Sequence, residues 1–74
     1  MGKPLVSMLI NTYNGENTVM LPLWSCLEQD YENIELIIVD DASVDGTRKK
    51  IHGFLENNEK RFKKVELISL GKNV

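Results

Sequence analysis

Ile34-Glu35-Leu36-Ile37-Ile38-Val39-Asp40-Asp41 constrains this chain more than any other segment, because a β-branched apolar run ends there in two carboxylates. Uninterrupted Ile37-Ile38-Val39 is the pattern of a central parallel strand covered on both faces. A charge carried further into that core would lose its hydration without a partner, so Asp40 and Asp41 must stand at the strand's carboxyl edge. Open α/β sheets leave their binding crevice at that edge. The polar stretch Ala42-Ser43-Val44-Asp45-Gly46-Thr47 then supplies a loop beside it.

Strand and helix signals alternate along the rest of the chain. Leu5-Val6-Ser7-Met8-Leu9-Ile10 follows Pro4 and is nearly all apolar, which predicts a first buried strand. Asn14-Gly15 would be a hairpin signal in isolation, yet Val19, Met20, Leu23, Trp24 and Leu27 follow at helical spacing, so the turn feeds a helix over about 18–29. Asn17 or Thr18 is placed to cap that helix, and Pro22 is tolerated near its first turn. Ile51, Phe54 and Leu55 mark the buried stripe of a second helix over about 45–58, with Ser43 or Asp45 able to accept from its unpaired amides. Val65-Glu66-Leu67-Ile68-Ser69-Leu70 is a third strand, and residues 71–74 leave it. The resulting order is βαβαβ. Right-handed crossovers make all three strands parallel, and the loops over 11–16 and 40–47 then face one another across a single crevice. The second strand lies beside the first, and the third either beside the second or across the first.

Seventy-four residues make at most one small domain, and the single cysteine, Cys26, allows no intrachain disulfide to staple it. Nine basic residues against eleven acidic ones leave a net charge of −2, which argues against a general nucleic-acid or anionic-membrane binder. Arg48-Lys49-Lys50 and Lys63-Lys64 therefore read as solvated faces. No apolar run approaches the roughly 20 residues that span a bilayer.

Three segments carry a resemblance. Pro4-Leu5-Val6-Ser7-Met8-Leu9-Ile10-Asn11-Thr12-Tyr13-Asn14, Gln29-Asp30-Tyr31-Glu32-Asn33-Ile34-Glu35 and Val39-Asp40-Asp41-Ala42-Ser43-Val44-Asp45-Gly46-Thr47 stand in the order and spacing of the amino-terminal half of a family 2, GT-A fold glycosyltransferase. Departures are few: the family usually has proline where Asn11 stands, often glycine where Ala42 stands, and commonly threonine where Asp30 stands. Ala42 would restrict the loop after the carboxylates.

The resemblance implies the βαβαβ parallel-sheet half of a Rossmann-like GT-A fold, with residues 1–74 as the nucleotide-binding part of one domain. It implies a nucleotide-diphosphate-sugar donor and transfer of its sugar, of hexosyltransferase type, to a polysaccharide, lipid or protein glycan. The loop after the first strand, Asn11, Thr12, Tyr13 and Asn14 with Glu16, is implied to hold the nucleotide, and Asp41 to accept from its base. Asp40 either joins that site or holds the backbone of its own turn. Tyr13 offers a flat face for a base, and a carboxylate can accept from a ring N–H. The family's Asp-any-Asp metal site and catalytic base have no counterpart here, since no Asp follows Asp45. A manganese or magnesium ion is thus expected to take its ligands outside this chain, no residue is assigned as catalytic, and the segment alone is expected to be inactive. Neither membrane contact nor nucleic acid is expected of it. In the full-length protein the implied location is the cytoplasm, either free or at the inner face of the membrane. A half-sheet of this kind exposes an edge and an apolar face, so self-association is expected.

Trp24 and Met20 are expected in the core, Cys26 as a buried filler and His52 in an exposed or half-buried structural role. Two other readings stay open. One is a receiver-type phosphorylation-switch fragment, whose paired carboxylates close the first strand rather than the second. The other is a non-catalytic nucleotide-binding α/β module, although no G-x-G-x-x-G turn follows either early strand.

Overall fold

Parallel pairing of the three apolar runs organises the molecule. The computed structural model describes residues 4–71, and the segment expected to leave the last strand lies outside the described residues after Gly71. The elements are β1 (Val6–Thr12), α1 (Met20–Leu27), β2 (Ile34–Asp41), α2 (Thr47–Asn58), a 3-10 turn (Glu59–Arg61) and β3 (Lys64–Leu70). Sheet order is β1-β2-β3 and both pairings are parallel, with Ile38 between Ile10 and Leu67, and Val39 between Asn11 and Ile68. The third strand therefore lies beside the second, and no hairpin forms at Asn14-Gly15.

Because the sheet grows in one direction, two crossovers of the same hand deliver both helices to one face. Burial along β2 follows from this: Ile34, Leu36, Ile38 and Asp40 are buried under the helices, whereas Ile37 and Val39 are half-buried on the opposite side. Leu23, Ile34, Leu36, Ile38 and Ile51 are the fully buried apolar centre, and truncating any of them to alanine should cost about 2–5 kcal/mol. The expectation of a β2 covered on both faces is corrected. Leu9, Ile68 and Leu70 are exposed on the uncovered face, and the expected burial of β1 is met only at Ile10 and in part at Met8.

Helix α1 begins later than its apolar spacing suggested. The Gly15 carbonyl accepts from the amides of Thr18 and Val19 and from the Thr18 hydroxyl, so residues 15–19 form a turn ahead of the helix. Neither Asn17 nor Thr18 caps it; Val19 occupies that position without a side-chain bond. Pro22 is the third helical residue, where its missing donor breaks no helix bond. Val19, Leu23 and Cys26 turn toward the sheet, which leaves Trp24 on the other side of this short helix: Trp24 is 51% exposed and Leu21 64%. Trp24 is thus a surface residue rather than core, and Met20 is half-buried. In α2, Ile51 and Phe54 are buried and His52 is exposed. No helix among the described residues is long and apolar enough to cross a membrane.

Candidate functional site at the carboxyl edge of the sheet

Strand alternation sends the two carboxylates of β2 to opposite faces. Asp40 faces the helices and is fully buried. Its Oδ2 accepts from Arg48 Nε at 2.5 Å and from the Ser43 amide at 3.3 Å, while Oδ1 accepts from the Ser43 hydroxyl at 2.5 Å. Burial alone would raise its pKa, but the bonds from Arg48 and Ser43 outweigh burial and hold the carboxyl below its ordinary value. Asp41 is exposed on the uncovered face, where it lines a cleft of about 340 Å³ with Asn11, Thr12, Tyr13, Val39 and Leu70.

The two loops beside this cleft are tied together. Asn14 donates its amide to the Ser43 hydroxyl oxygen at 2.8 Å, and its Oδ1 accepts from the Val44 amide at 2.9 Å. Glu16 donates its amide to Asp45 Oδ2 at 3.2 Å, and its Oε1 accepts from the Gly46 amide at 3.0 Å. Asp45 also accepts from the Thr47 amide and hydroxyl; the hydroxyl bond is the main reason its pKa is lowered. Asn14 sits in the left-handed region at φ 47°, which its short polar side chain tolerates, and Ala42 sits there at φ 56°. A Cβ on Gly15 would come within 2.6 Å of Thr12 Oγ1, so this turn needs a glycine beside the strand end.

Of the residues singled out in the sequence, Asn11, Thr12, Tyr13 and Asp41 meet at one cleft. Asn14, Glu16 and Asp40 bind the neighbouring loop or helix instead. The sequence offers Val39 and Leu70 only as strand residues and Arg48 only as part of a solvated face, whereas Arg48 is held against the buried Asp40 carboxylate. Arg48 had a signal, a cation eight residues past a strand-end acid and in the first turn of the next helix. Val39 and Leu70 had none, because their place at the cleft depends on the pairing of β2 with β3.

Among the described residues, no group of three or more His, Cys, Asp or Glu side chains could hold a metal ion. The oxygens of Asp40 are taken by Arg48 and Ser43, and those of Asp45 by Thr47 and the Glu16 amide. These residues do not fit a divalent cation.

The model of the family described as "Glycosyl transferase family 2" matches residues 7–74. An uncharacterised glycosyltransferase of Haemophilus influenzae is 37% identical over 81% of this chain and 24% of its own length. The UDP-Glc:alpha-D-GlcNAc-diphosphoundecaprenol beta-1,3-glucosyltransferase WfgD of Escherichia coli is 42% identical over 80% of this chain and 22% of its own length. The crystal structure of S. aureus TarS 1–349 superposes with a TM-score of 0.74 at 27% identity, over 95% of this chain and 20% of that one. The chain thus spans less than a quarter of the length of these relatives.

Proposed function

We propose, because this chain belongs to glycosyl transferase family 2, that it binds the nucleotide of a nucleotide-diphosphate-sugar donor within an enzyme that transfers the sugar to an acceptor. One observation carries this reading. Of two adjacent carboxylates, Asp40 is consumed by internal bonds, while Asp41 is exposed at a cleft beside the one aromatic ring of the loop, Tyr13. A base stacked on Tyr13 would bring a ring N–H toward Asp41, with Asn11 and Thr12 offering further polar contacts. The E. coli relative is named for a UDP-glucose donor, which puts uracil first among bases.

This chain's part in the reaction is to hold and orient the donor. Bond breaking at the sugar belongs to groups beyond these residues, and so does a manganese or magnesium ion.

Titration of the protein with UDP, followed by amide NMR, tests the assignment. Shifts should concentrate at residues 11–13 and 39–41, and Asp41→Ala should weaken binding by about one to two decades, the worth of a charge-assisted hydrogen bond. Equal affinity of wild type and Asp41→Ala would remove Asp41 from the site.

A further inference from the structure

The ladder between β1 and β2 ends with Thr12 opposite Asp40. Tyr13 and Asp41, the two side chains expected on a base, come next along the chain, so no bond of that ladder fixes one against the other. Asp41 is still paired with Leu70 of β3, but Tyr13 lies past the end of β1 and is 60% exposed, with little packing to hold it. The residue that follows ties it down. Asn14 donates its amide to the Ser43 hydroxyl oxygen at 2.8 Å and accepts the Val44 amide on Oδ1 at 2.9 Å. Ser43 is itself fixed from the buried side: its hydroxyl and amide donate to the Asp40 carboxylate, and the Ala42 amide donates to the Asp40 carbonyl at 3.1 Å. Asp41 thus projects from a turn closed by Asp40, and Tyr13 is tied to the same turn through Asn14. The bonds of Glu16 to Asp45 and Gly46 act farther from the ring, beyond Gly15.

We propose that Asn14 is a positioning residue: by bonding Ser43 and Val44 it holds the Tyr13 ring at the cleft in the one placement relative to Asp41 where a single base meets both. The inference rests on the nucleotide reading above and gives Asn14 no contact with the ligand. The cleft is lined by its neighbours Thr12 and Tyr13, not by Asn14, and its Oδ1 is occupied by the Val44 amide. Its φ of 47° suits this part, since asparagine enters the left-handed region at small cost while offering an acceptor to the facing loop. The two contacts to a base differ in what they demand. Stacking on a ring tolerates offset, whereas a hydrogen bond weakens steeply once donor, hydrogen and acceptor leave a line. A loosened Tyr13 therefore costs the Asp41 bond first, and with it the discrimination between bases.

Parallel titrations with UDP and CDP read that discrimination, because cytosine carries no hydrogen on the ring nitrogen that uracil offers to Asp41. The wild type should prefer UDP by about one to two decades, the worth of a charge-assisted bond. Asn14→Gly keeps the left-handed turn and removes the Oδ1 acceptor, so it should cut the preference about tenfold. Asn14→Asp keeps an acceptor in the same place and should retain most of the preference, even though its added charge lowers the affinity for both diphosphates. A merely structural role would lower the folded fraction, and both affinities together, without moving their ratio. A ratio unaltered in Asn14→Gly, or an Asn14→Asp as poor as Asn14→Gly, would overturn the positioning role while nucleotide binding stands. A wild type that binds neither nucleotide, or both alike, would overturn the reading of the cleft and this inference with it.

Discussion

Glu16 and Gly46 meet across the two loops of the carboxyl edge: Glu16 Oε1 accepts the Gly46 amide at 3.0 Å, and a Cβ on Gly46 would stand 2.9 Å from the same carboxyl group. With φ at −81°, Gly46 is not required for backbone freedom; it is required for closeness. Gly46→Ala should push the Glu16 carboxylate away and cost about 1 kcal/mol, the worth of that bond. In a domain of this size the melting temperature should fall by about 4–8 °C. Glu16→Ala should give the same loss, and the double variant no more than either single one, because both remove one interaction. Thermal melts of the three variants decide it.

Ala42 is the reverse case. At φ 56° an L side chain costs roughly 1–2 kcal/mol, while glycine adds about 0.5–1 kcal/mol of unfolded-state entropy. Relief of strain is the larger effect. Ala42→Gly should therefore stabilise the protein by about 0.5 kcal/mol and raise its melting temperature by a few degrees; a lower melting temperature would show that the loop is held against its preference at no cost.

The strand-helix alternation was legible because each element here is specified by its own residues. Leu36, Ile37, Ile38 and Val39 announce a strand, and Ile51 and Phe54 announce a helix face, whatever surrounds them. What the sequence left hidden was the side of the sheet. Asp40 and Asp41 are equivalent as letters, yet strand alternation buries one under Arg48 and leaves the other at the cleft. Trp24 was misread for a related reason. Its spacing from Met20 and Leu27 suits a buried face, but the eight-residue α1 is too short to bury more than the side that carries Leu23 and Cys26. The bonds of Asn14 and Glu16 to the facing loop are equally hidden in the sequence, because they exist only once that loop is in place.

Gly53 sits in the interior of α2 with open space where a Cβ would go. Nothing opposes the usual gain from replacing a mid-helix glycine, so Gly53→Ala should stabilise the protein by about 0.5–1 kcal/mol. Urea unfolding of the two proteins measures this. A loss of stability would mean that the added methyl group meets an atom after all.

The Asp40–Arg48 pair gives the fold its acid limit. The Asp40 pKa is lowered in the folded protein, because the bonds from Arg48 and Ser43 overcome the effect of burial. A lowered folded pKa means that the ionised group stabilises the fold above its unfolded value, near 3.9, and that this stability disappears as pH falls through the folded value. The lowered pKa of Asp45 acts in the same direction, through bonds that lie at the surface. Wild-type stability should therefore be flat above about pH 5 and decline below about pH 4. Arg48→Leu leaves a fully buried carboxylate without its cation. Breaking a buried pair costs about 3–5 kcal/mol, but Arg48 is 42% exposed and water already screens it, so about 2 kcal/mol is expected. Only the bonds from Ser43 would then oppose burial, so the Asp40 pKa should rise and the acid transition should move to higher pH. Asp40→Asn removes one titrating group, and with it that group's share of the decline below pH 4, at a similar cost near neutrality. Urea midpoints from pH 7 down to pH 2 would show this as a shifted curve for Arg48→Leu and a flattened one for Asp40→Asn. Parallel curves for all three proteins would mean that Asp40 carries no special share of acid stability.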